Sequence, residues 1–545
     1  MLNTKYMIND LYGGITAAIV ALPLALAFGV QSGMGAIAGL YGAIALGFFA
    51  ALFGGTSTQI SGPTGPMTVV SSAIIAGEIA VYGSVEAAMG TIVATFVLAG
   101  VFLVIMGFTK IGQYIRYIPY PVVSGFMSGI GLIIIIMQIF PFFGMKSPSS
   151  IVDIFSNLSE IKNGCNLHAV ILSILTMAVI YLFPKLTKAV PSTLVALLVL
   201  SSVAYLLNMD VAIIGDIPKG LPDVHIDTLL EMDWHHPMVM VIPALTLAAL
   251  GAIDSLLTSV IADNMTKTKH NPNKELIGQG IGNMVAGIIG GLPGAGATMR
   301  TVVNIRAGGK TRLSGMIHSL VLLIILLGAG AYAKLIPIPV LAGILITVGI
   351  GIIDYKGLKH LVRVPRADAF VMITVLVLTV FVDLLQAVAV GLVLASLLFM
   401  KHMGDIAQAN ATCTILDEFH DPHIEQEKKV LPQELQKQVF IQHFDGPIFF
   451  GFTEHFKSMI EKLPDVHIVL FMMDNVPSID QTGMYAIEDA VLELKKRGIT
   501  VVFTGIKEQP SDMLKNIRLI PDLVSQEYIY DSYQEAIKNL KSYVS

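Results

Sequence analysis

The chain has 545 residues, of which 54% are hydrophobic and only 13% charged, with a mean hydropathy of +0.73. A soluble domain carries about 25% charged residues, so most of this chain is not built for water. The net charge of −5 and the lack of a basic cluster argue against a nucleic-acid partner. The average hides a division: residues 11 to about 401 are apolar runs broken by short polar loops, and the chain after about 405 reads as a soluble α/β protein.

Residues 1–10 are polar, and the first apolar run, 11–30, lacks a basic flank and a small-residue cleavage site, so it is expected to stay as a membrane segment. At about 20 apolar residues per crossing, segments are predicted near 11–31, 34–54, 59–80, 86–108, 121–142, 167–187 and 190–207. A polar excursion at about 208–236 holds the single tryptophan, Trp234, beside His235 and His236. Its position suggests a membrane-edge aromatic rather than a metal site. Further segments are predicted near 237–262, 275–292, 294–307, 313–330, 333–353, 369–384 and 385–401. The total is about fourteen, in two sets of seven, with 59–80 and 294–307 too broken by Gly and Pro to span unaided.

With the N-terminus placed in the cytoplasm, sixteen Lys and Arg fall on inside loops and flanks. Four, Lys146, Lys162, Lys219 and Lys334, fall outside. This positive-inside bias predicts both termini in the cytoplasm. It also puts Cys165 and Cys413 on opposite sides, where no disulfide can join them.

The two sets echo each other. Residues 62–70 read Gly-Pro-Thr-Gly-Pro-Met-Thr-Val-Val and residues 295–303 read Ala-Gly-Ala-Thr-Met-Arg-Thr-Val-Val, each in the third segment of its set. Seven is odd, so the second set enters from the opposite face. That predicts an inverted repeat, whose interrupted helices are the best sequence pointer to a transporter's binding site. Between them, Asp254 and Thr258 stand at i and i+4 on one helical face of an apolar segment. An acid at membrane depth is a functional-site candidate.

After 401, residues 404–436 read as a linker. Strands are predicted at 438–444, 467–473 and 499–504, and helices at 453–462, 482–497, 509–518 and 532–542. No Walker-type phosphate loop is present, which argues against an ATP-driven pump.

Segment 61–70, Asp254 with Thr258, the run 294–304 and the C-terminal α/β region together resemble the SulP inorganic-anion transporters, the solute carrier 26 group. Within that group the two Gly-rich stretches are most similar to BicA-type sodium–bicarbonate symporters. The resemblance implies an all-α polytopic membrane domain, residues 1–403, with repeats at about 11–207 and 237–401. It implies core and gate bundles, a cytoplasmic STAS domain at 437–545, a bacterial plasma-membrane location and a homodimer. It implies secondary transport by alternating access, with sodium as the coupling ion and no organic cofactor. The sodium positions it implies are Asp254, Thr258, Gly296, Ala297 and Thr298; the anion positions are Thr68, Ala297, Thr298 and Arg300. Many sulfate-type members carry glutamate where this chain has Asp254.

Alternatives stand beside these roles. Asp254 and Arg300 could form a structural ion pair, Arg300 could anchor a loop, and Thr68, Thr258 and Thr301 could bind helix to helix. Asp383 and Glu78 are expected at solvated segment ends. A proton could replace sodium, with sulfate or another oxyanion as cargo, and a channel or exchanger is a further reading. In the tail, Thr482 is a candidate regulatory hydroxyl for a cytoplasmic partner, while Asp480 or Thr482 could equally cap the following helix.

Overall fold

The computed structural model describes residues 6–148, 151–187, 190–214, 224–227, 238–382, 384–410, 412–418, 431–449, 458, 460 and 463–540. Trp234, His235, His236, Asp383 and most of the helix predicted at 453–462 lie outside them. The chain divides into two compact units, Met1–Ala395 and Ser396–Ser545.

Each of the fourteen predicted segments corresponds to a helix. The first set is α1 (Met7–Ser32), α2 (Ala36–Phe53), α3 (Gly65–Tyr82), α4 (Val85–Phe108), α5 (Tyr120–Met137), α6 (Leu167–Leu186) and α7 (Ser192–Leu206). The second is α8 (Met238–Thr266), α9 (Pro272–Ile288), α10 (Thr298–Arg306), α11 (Arg312–Ala333), α12 (Ile338–Ile352), α13 (Arg366–Phe381) and α14 (Leu384–Asn410). Eight described helices are long and apolar enough to cross a bilayer unaided. Short polar signals punctuate them. Gly33 and Gly83 end α1 and α3 at φ +88° and +87°, a backbone that glycine adopts freely. Ser84 caps α4 through Ala87 N–H, and Asn271 caps α9 through Lys274 N–H with Pro272 in the first turn.

The helices pack as two bundles. In one, α9 lies against α4 and α2, α1 against α11 and α2, and α8 against α4. In the other, α13 and α12 lie against α5, and α6 against α12 and α7. Small residues carry the first bundle, with Ala18, Ala21, Ala25 and Ala43 buried against Leu40 and Leu322. At the α4–α9 crossing Gly100 faces Gly280: a Cβ on Gly280 would lie 2.5 Å from Gly100 O. Close backbone approach of this kind replaces the hydrophobic drive that lipid does not supply. In the second bundle Asp354, between α12 and α13, accepts from Tyr120 Oη and Ser124 Oγ, each at 2.5 Å, tying that link to α5. Burial works to raise the Asp354 carboxyl, but those two bonds and the backbone N–H groups of Gly357 and Lys356 outweigh it and hold the group below the usual carboxylate range.

The C-terminal unit is an α/β sheet. Its strands are β3 (Thr412–Ile415), β4 (Val439–Asp445), β5 (Ile468–Asn475), β6 (Thr500–Thr504) and β7 (Ile529–Tyr530), in that spatial order. All neighbours are parallel except β3, which runs antiparallel to β4 with Cys413 opposite Gln442. Strand alternation sends Phe444, Phe471 and Phe503 to one face, in edge-on contact at 5.6 and 5.3 Å, with Ile487, Val491 and Leu494 of helix α15 (Gln481–Lys496). Ile441, Leu470 and Val502 go to the other face, with Ile537 and Leu540. Residues 404–436, read as a linker, contain the end of α14 and the edge strand β3. The strand escaped notice because Thr-Cys-Thr-Ile is short and mostly polar. Asp480 caps α15 through Gly483 N–H at 2.7 Å, leaving Thr482 exposed. Both cysteines are free.

Replacing Gly280 by Leu should force α4 from α9 and lower the thermal midpoint of the detergent-purified protein by several degrees, since overpacking costs roughly 1–3 kcal/mol or more. Gly351→Ala, at a site with nothing within 4 Å, should leave the midpoint within about a degree. Equal midpoints for the two variants would refute the close crossing.

Candidate ion and anion site

Two helices are broken at matching places. After α2 the chain runs without helix from Gly54 to Thr64, forms β1 (Ser61–Gly62), and enters α3 at Gly65. After α9 it forms β2 (Ala295–Gly296) and enters α10 at Thr298. β1 and β2 pair antiparallel, Ser61 opposite Gly296 and Gly62 opposite Ala295, the relation a two-fold between inverted halves requires. The pairing is extended by Ala297 N–H donating to Ile60 O at 2.8 Å. A side chain at position 294 would overlap the Gly62 backbone, so only glycine admits the strands this close.

The pairing sets the N-termini of α3 and α10 beside each other. Each first turn offers N–H groups ahead of its first intrahelical bond: Thr68 N–H to Thr64 O in α3, at 2.9 Å, and Thr301 N–H to Ala297 O in α10, at 2.9 Å. Each terminus also carries a partial positive charge of about +0.5.

α8 lays a polar face along the pair. Asp254, Ser255, Thr258 and Ser259 follow helical spacing and are buried. Thr258 Oγ1 donates to Gly296 O at 2.9 Å and lies 2.7 Å from Thr298 Oγ1. Ser255 Oγ accepts from Gly296 N–H at 3.0 Å. Asp254 Oδ2 accepts from Thr64 Oγ1, the residue leading into α3, at 2.8 Å. Asp254 is buried, and among the described residues its carboxylate takes no bond beyond that from Thr64. Three of the implied sodium positions, Thr258, Gly296 and Thr298, are joined by direct contacts, and Asp254 lies one turn before Thr258.

The implied anion positions separate. Thr68 is fully buried with Oγ1 unpartnered, a donor free to turn to a ligand. Ala297 lines the site, but its N–H is taken by Ile60, so the uncommitted backbone donors begin at Thr298. Arg300 donates Nη2 to Pro63 O at 2.7 Å, and its Nη1 is buried without a partner. It therefore anchors the β1–α3 link, and its charge stays inside the protein. Asp254 and Arg300 bond to Thr64 and Pro63, not to each other. Thr301 accepts Ile60 N–H at 3.0 Å, so it binds α10 to the extended segment before β1 and not, as expected, helix to helix.

Sequence reading missed a polar layer behind this face. Glu275, Gln279 and Asn283 stand at i, i+4 and i+8 on α9, all buried. Glu275 Oε2 accepts Gly55 and Thr56 N–H, both at 2.8 Å. Its Oε1 accepts Gln59 Nε2 at 2.9 Å and Gln279 Nε2 at 2.8 Å. Gln279 also reaches Ser61 Oγ at 2.6 Å, and Asn283 brackets Gly294 by accepting its N–H and donating to its C=O. His318 of α11 is buried with both ring nitrogens unpartnered. The polar stripe at four-residue spacing on an apolar helix was the available signal.

An interrupted-helix pair enclosed by a carboxylate, hydroxyls and free helix N-termini in a membrane body is the machinery of a solute transporter. The chain belongs to the sulfate permease family, whose profile matches residues 7–375; a STAS domain profile matches residues 432–536. It is 40% identical over 537 residues to the bicarbonate transporter BicA of Picosynechococcus, covering 97% of this chain and 94% of that one. It is 32% identical over 546 residues to the putative sulfate transporter YvdB of Bacillus subtilis, covering 98% of each. Among solved structures it resembles the transmembrane domain of a cyanobacterial BicA, at a TM-score of 0.66 and 46% identity over 71% of this chain and 98% of that one. It shares the fold of murine solute carrier 26 member A9, at a TM-score of 0.83 and 20% identity over 99% of this chain and 92% of that one. The protein is a membrane transporter with a C-terminal STAS domain.

Thr301→Val should leave Ile60 N–H buried without an acceptor, at a cost of about 1–3 kcal/mol. A detergent melting curve should show the loss, and an unchanged midpoint would mean that strand β1 does not depend on that bond.

Proposed function

We propose that the protein takes up a small inorganic anion, bicarbonate, together with sodium, by alternating access. The observation that carries this is the gathering of Asp254, Thr258, Thr298 and Gly296 O at the tips of two broken helices. The 40% identity to a bicarbonate transporter supports the choice of cargo.

Sodium is a hard cation and takes oxygen ligands. The carboxylate of Asp254, the hydroxyls of Thr258 and Thr298, and the Gly296 carbonyl supply them. The anion sits between the N-termini of α3 and α10. It faces the Thr68 hydroxyl and the first-turn N–H groups from Thr298 onward, with Arg300 adding a full positive charge nearby. A bare Asp254 carboxylate repels that anion by roughly 3 kcal/mol for charges about 5 Å apart at an effective dielectric near 20. Sodium on Asp254 removes the repulsion, so each solute raises the affinity for the other, which is symport by linkage. A proton on Asp254 does the same electrostatically, and relatives named as putative sulfate transporters keep a proton-coupled oxyanion reading in view. The hydroxyls contacting one another beside Asp254 favour a coordinated metal cation over a proton, which needs a single acceptor.

The STAS domain gives a cytoplasmic regulator a point of entry at the exposed Thr482, and the working form is a homodimer in a bacterial plasma membrane with both termini inside.

Uptake of labelled bicarbonate into proteoliposomes, with sodium and pH varied separately, tests the reading. Uptake should rise with sodium at fixed pH, and Asp254→Asn should lower sodium-driven uptake by about 100-fold. Uptake indifferent to sodium, or an Asp254→Asn variant that transports normally, defeats it. Sulfate uptake driven by acid pH would favour the alternative cargo.

A further inference from the structure

The carboxylate of Glu275 is 1% exposed and accepts four N–H donors, two on each oxygen. All four contacts are donors, so both carboxylate oxygens act as acceptors. Among the described residues no Lys, Arg or His side chain contributes a bond to it; the donors are two backbone groups and two glutamine amides. Glu275 is therefore a solvated but unneutralised negative charge inside the first bundle.

It is also close to the candidate cation site. Gln59 bonds Glu275 through Nε2, and its Oε1 is 2.9 Å from Ser259 Oγ. Ser259 Oγ is in turn 2.9 Å from Ser255 O, the carbonyl next to Asp254. Gln59 and the Ser259 hydroxyl, whose single proton goes to Gln59 Oε1 or to Ser255 O, thus bridge the carboxylate to the backbone beside Asp254. Arg300 offsets part of the attraction of Asp254 for a cation, so a further fixed negative charge nearby strengthens it. Among the described residues His318 has no hydrogen-bond partner for either ring nitrogen and bonds neither carboxylate. Asp10, the other buried acid among the described residues, is bonded to Thr311 and to Lys310 N–H beyond the far end of α10. That is about 13 Å along the helix from Thr298.

We propose that Glu275 is the fixed charge that strengthens the site's hold on a cation: it brings the formal side-chain charge of Asp254, Glu275 and Arg300 to −1, which sodium at Asp254 offsets. Glu275 does not touch sodium; it is a positioning and charge-setting residue. The inference rests on the symport reading above. It explains why an acid, and not the isosteric amide, stands where backbone and glutamine donors need an acceptor. It also assigns Arg300 the opposite sign of effect on sodium.

The test uses purified full-length protein, with sodium titrated against potassium at constant ionic strength. Half-saturating sodium is read from the sodium-dependent rise in thermal midpoint and from labelled bicarbonate uptake in proteoliposomes. Glu275→Gln should raise half-saturating sodium about tenfold, and the bicarbonate half-saturation at saturating sodium should not rise. Glu275→Asp, which keeps the charge, should hold half-saturating sodium near the parent value even where uptake is slower. Arg300→Gln should lower half-saturating sodium, and this arm stands if Glu275→Gln does not fold. A purely structural Glu275 would lower the midpoint without moving half-saturating sodium, which overturns the proposal, as does a higher value in Arg300→Gln. A parent protein with no sodium dependence defeats the symport reading and this inference with it. A sodium-dependent parent with an unmoved Glu275→Gln defeats this inference alone.

Discussion

Backbone that leaves a helix inside a bilayer must find its partners within the protein, because lipid offers none. The short antiparallel pair Ser61–Gly62 with Ala295–Gly296 is where this chain meets that demand. Each strand supplies what the other lacks, and the flanking groups are settled by side chains from three other helices: Ser255 and Thr258 of α8, Gln279 and Asn283 of α9, Thr301 of α10. The site follows from that arrangement. Once two helices are interrupted face to face, their N-termini create positive potential at depth, and Asp254 and Thr258 are already within reach because α8 is holding the pair in place.

The same network has an electrostatic side. Neutral donors and acceptors alone would have satisfied the interruption, yet the structure buries Asp254, Glu275 and Arg300 around it. Buried charge is costly unless it is bonded, and each of these is bonded, though none to another of opposite sign. An arrangement chosen for stability would pair them. Keeping them apart leaves a local field that depends on what is bound, which a coupled carrier requires.

The helices were legible because lipid imposes a simple rule, long apolar runs ended by Gly, Pro and charge, and all fourteen runs became helices. The interruption was legible too: Gly294 to Ala297 and Gly62 to Pro66 can hardly be read as continuous helix. What could not be read were partners far apart in the chain. Glu275 meets Gly55 across 220 positions and Thr301 meets Ile60 across 241, and nothing local announces either contact. The bond from Arg300 to Pro63 O, 237 positions away, is equally unannounced. In the tail, strands β4 to β6 showed as apolar runs, whereas β3 and the two-residue β7 sit at the sheet edges and are too short to announce themselves.

The distribution of hydrogen bonds also says where motion can occur. Within the first bundle the polar network ties α2, α3, α8, α9 and α10 into one body. Within the second, Asp354 ties α5 to the α12–α13 link, and Ser173 Oγ bonds Pro339 O at 2.9 Å. Between the two, contact is of another kind: Gly65 at the tip of α3 faces Ile134 and Ile352 side chains, and the polar contact from Gln31 Nε2 to Met137 Sδ is long and weak at 3.7 Å. An apolar boundary between hydrogen-bonded bodies can slide without leaving buried polar groups unsatisfied, whereas displacing β1 from β2 would strand several at once. If transport runs by the alternating access proposed above, the sliding belongs to the boundary at Gly65, with the hydrogen-bonded broken-helix pair kept intact.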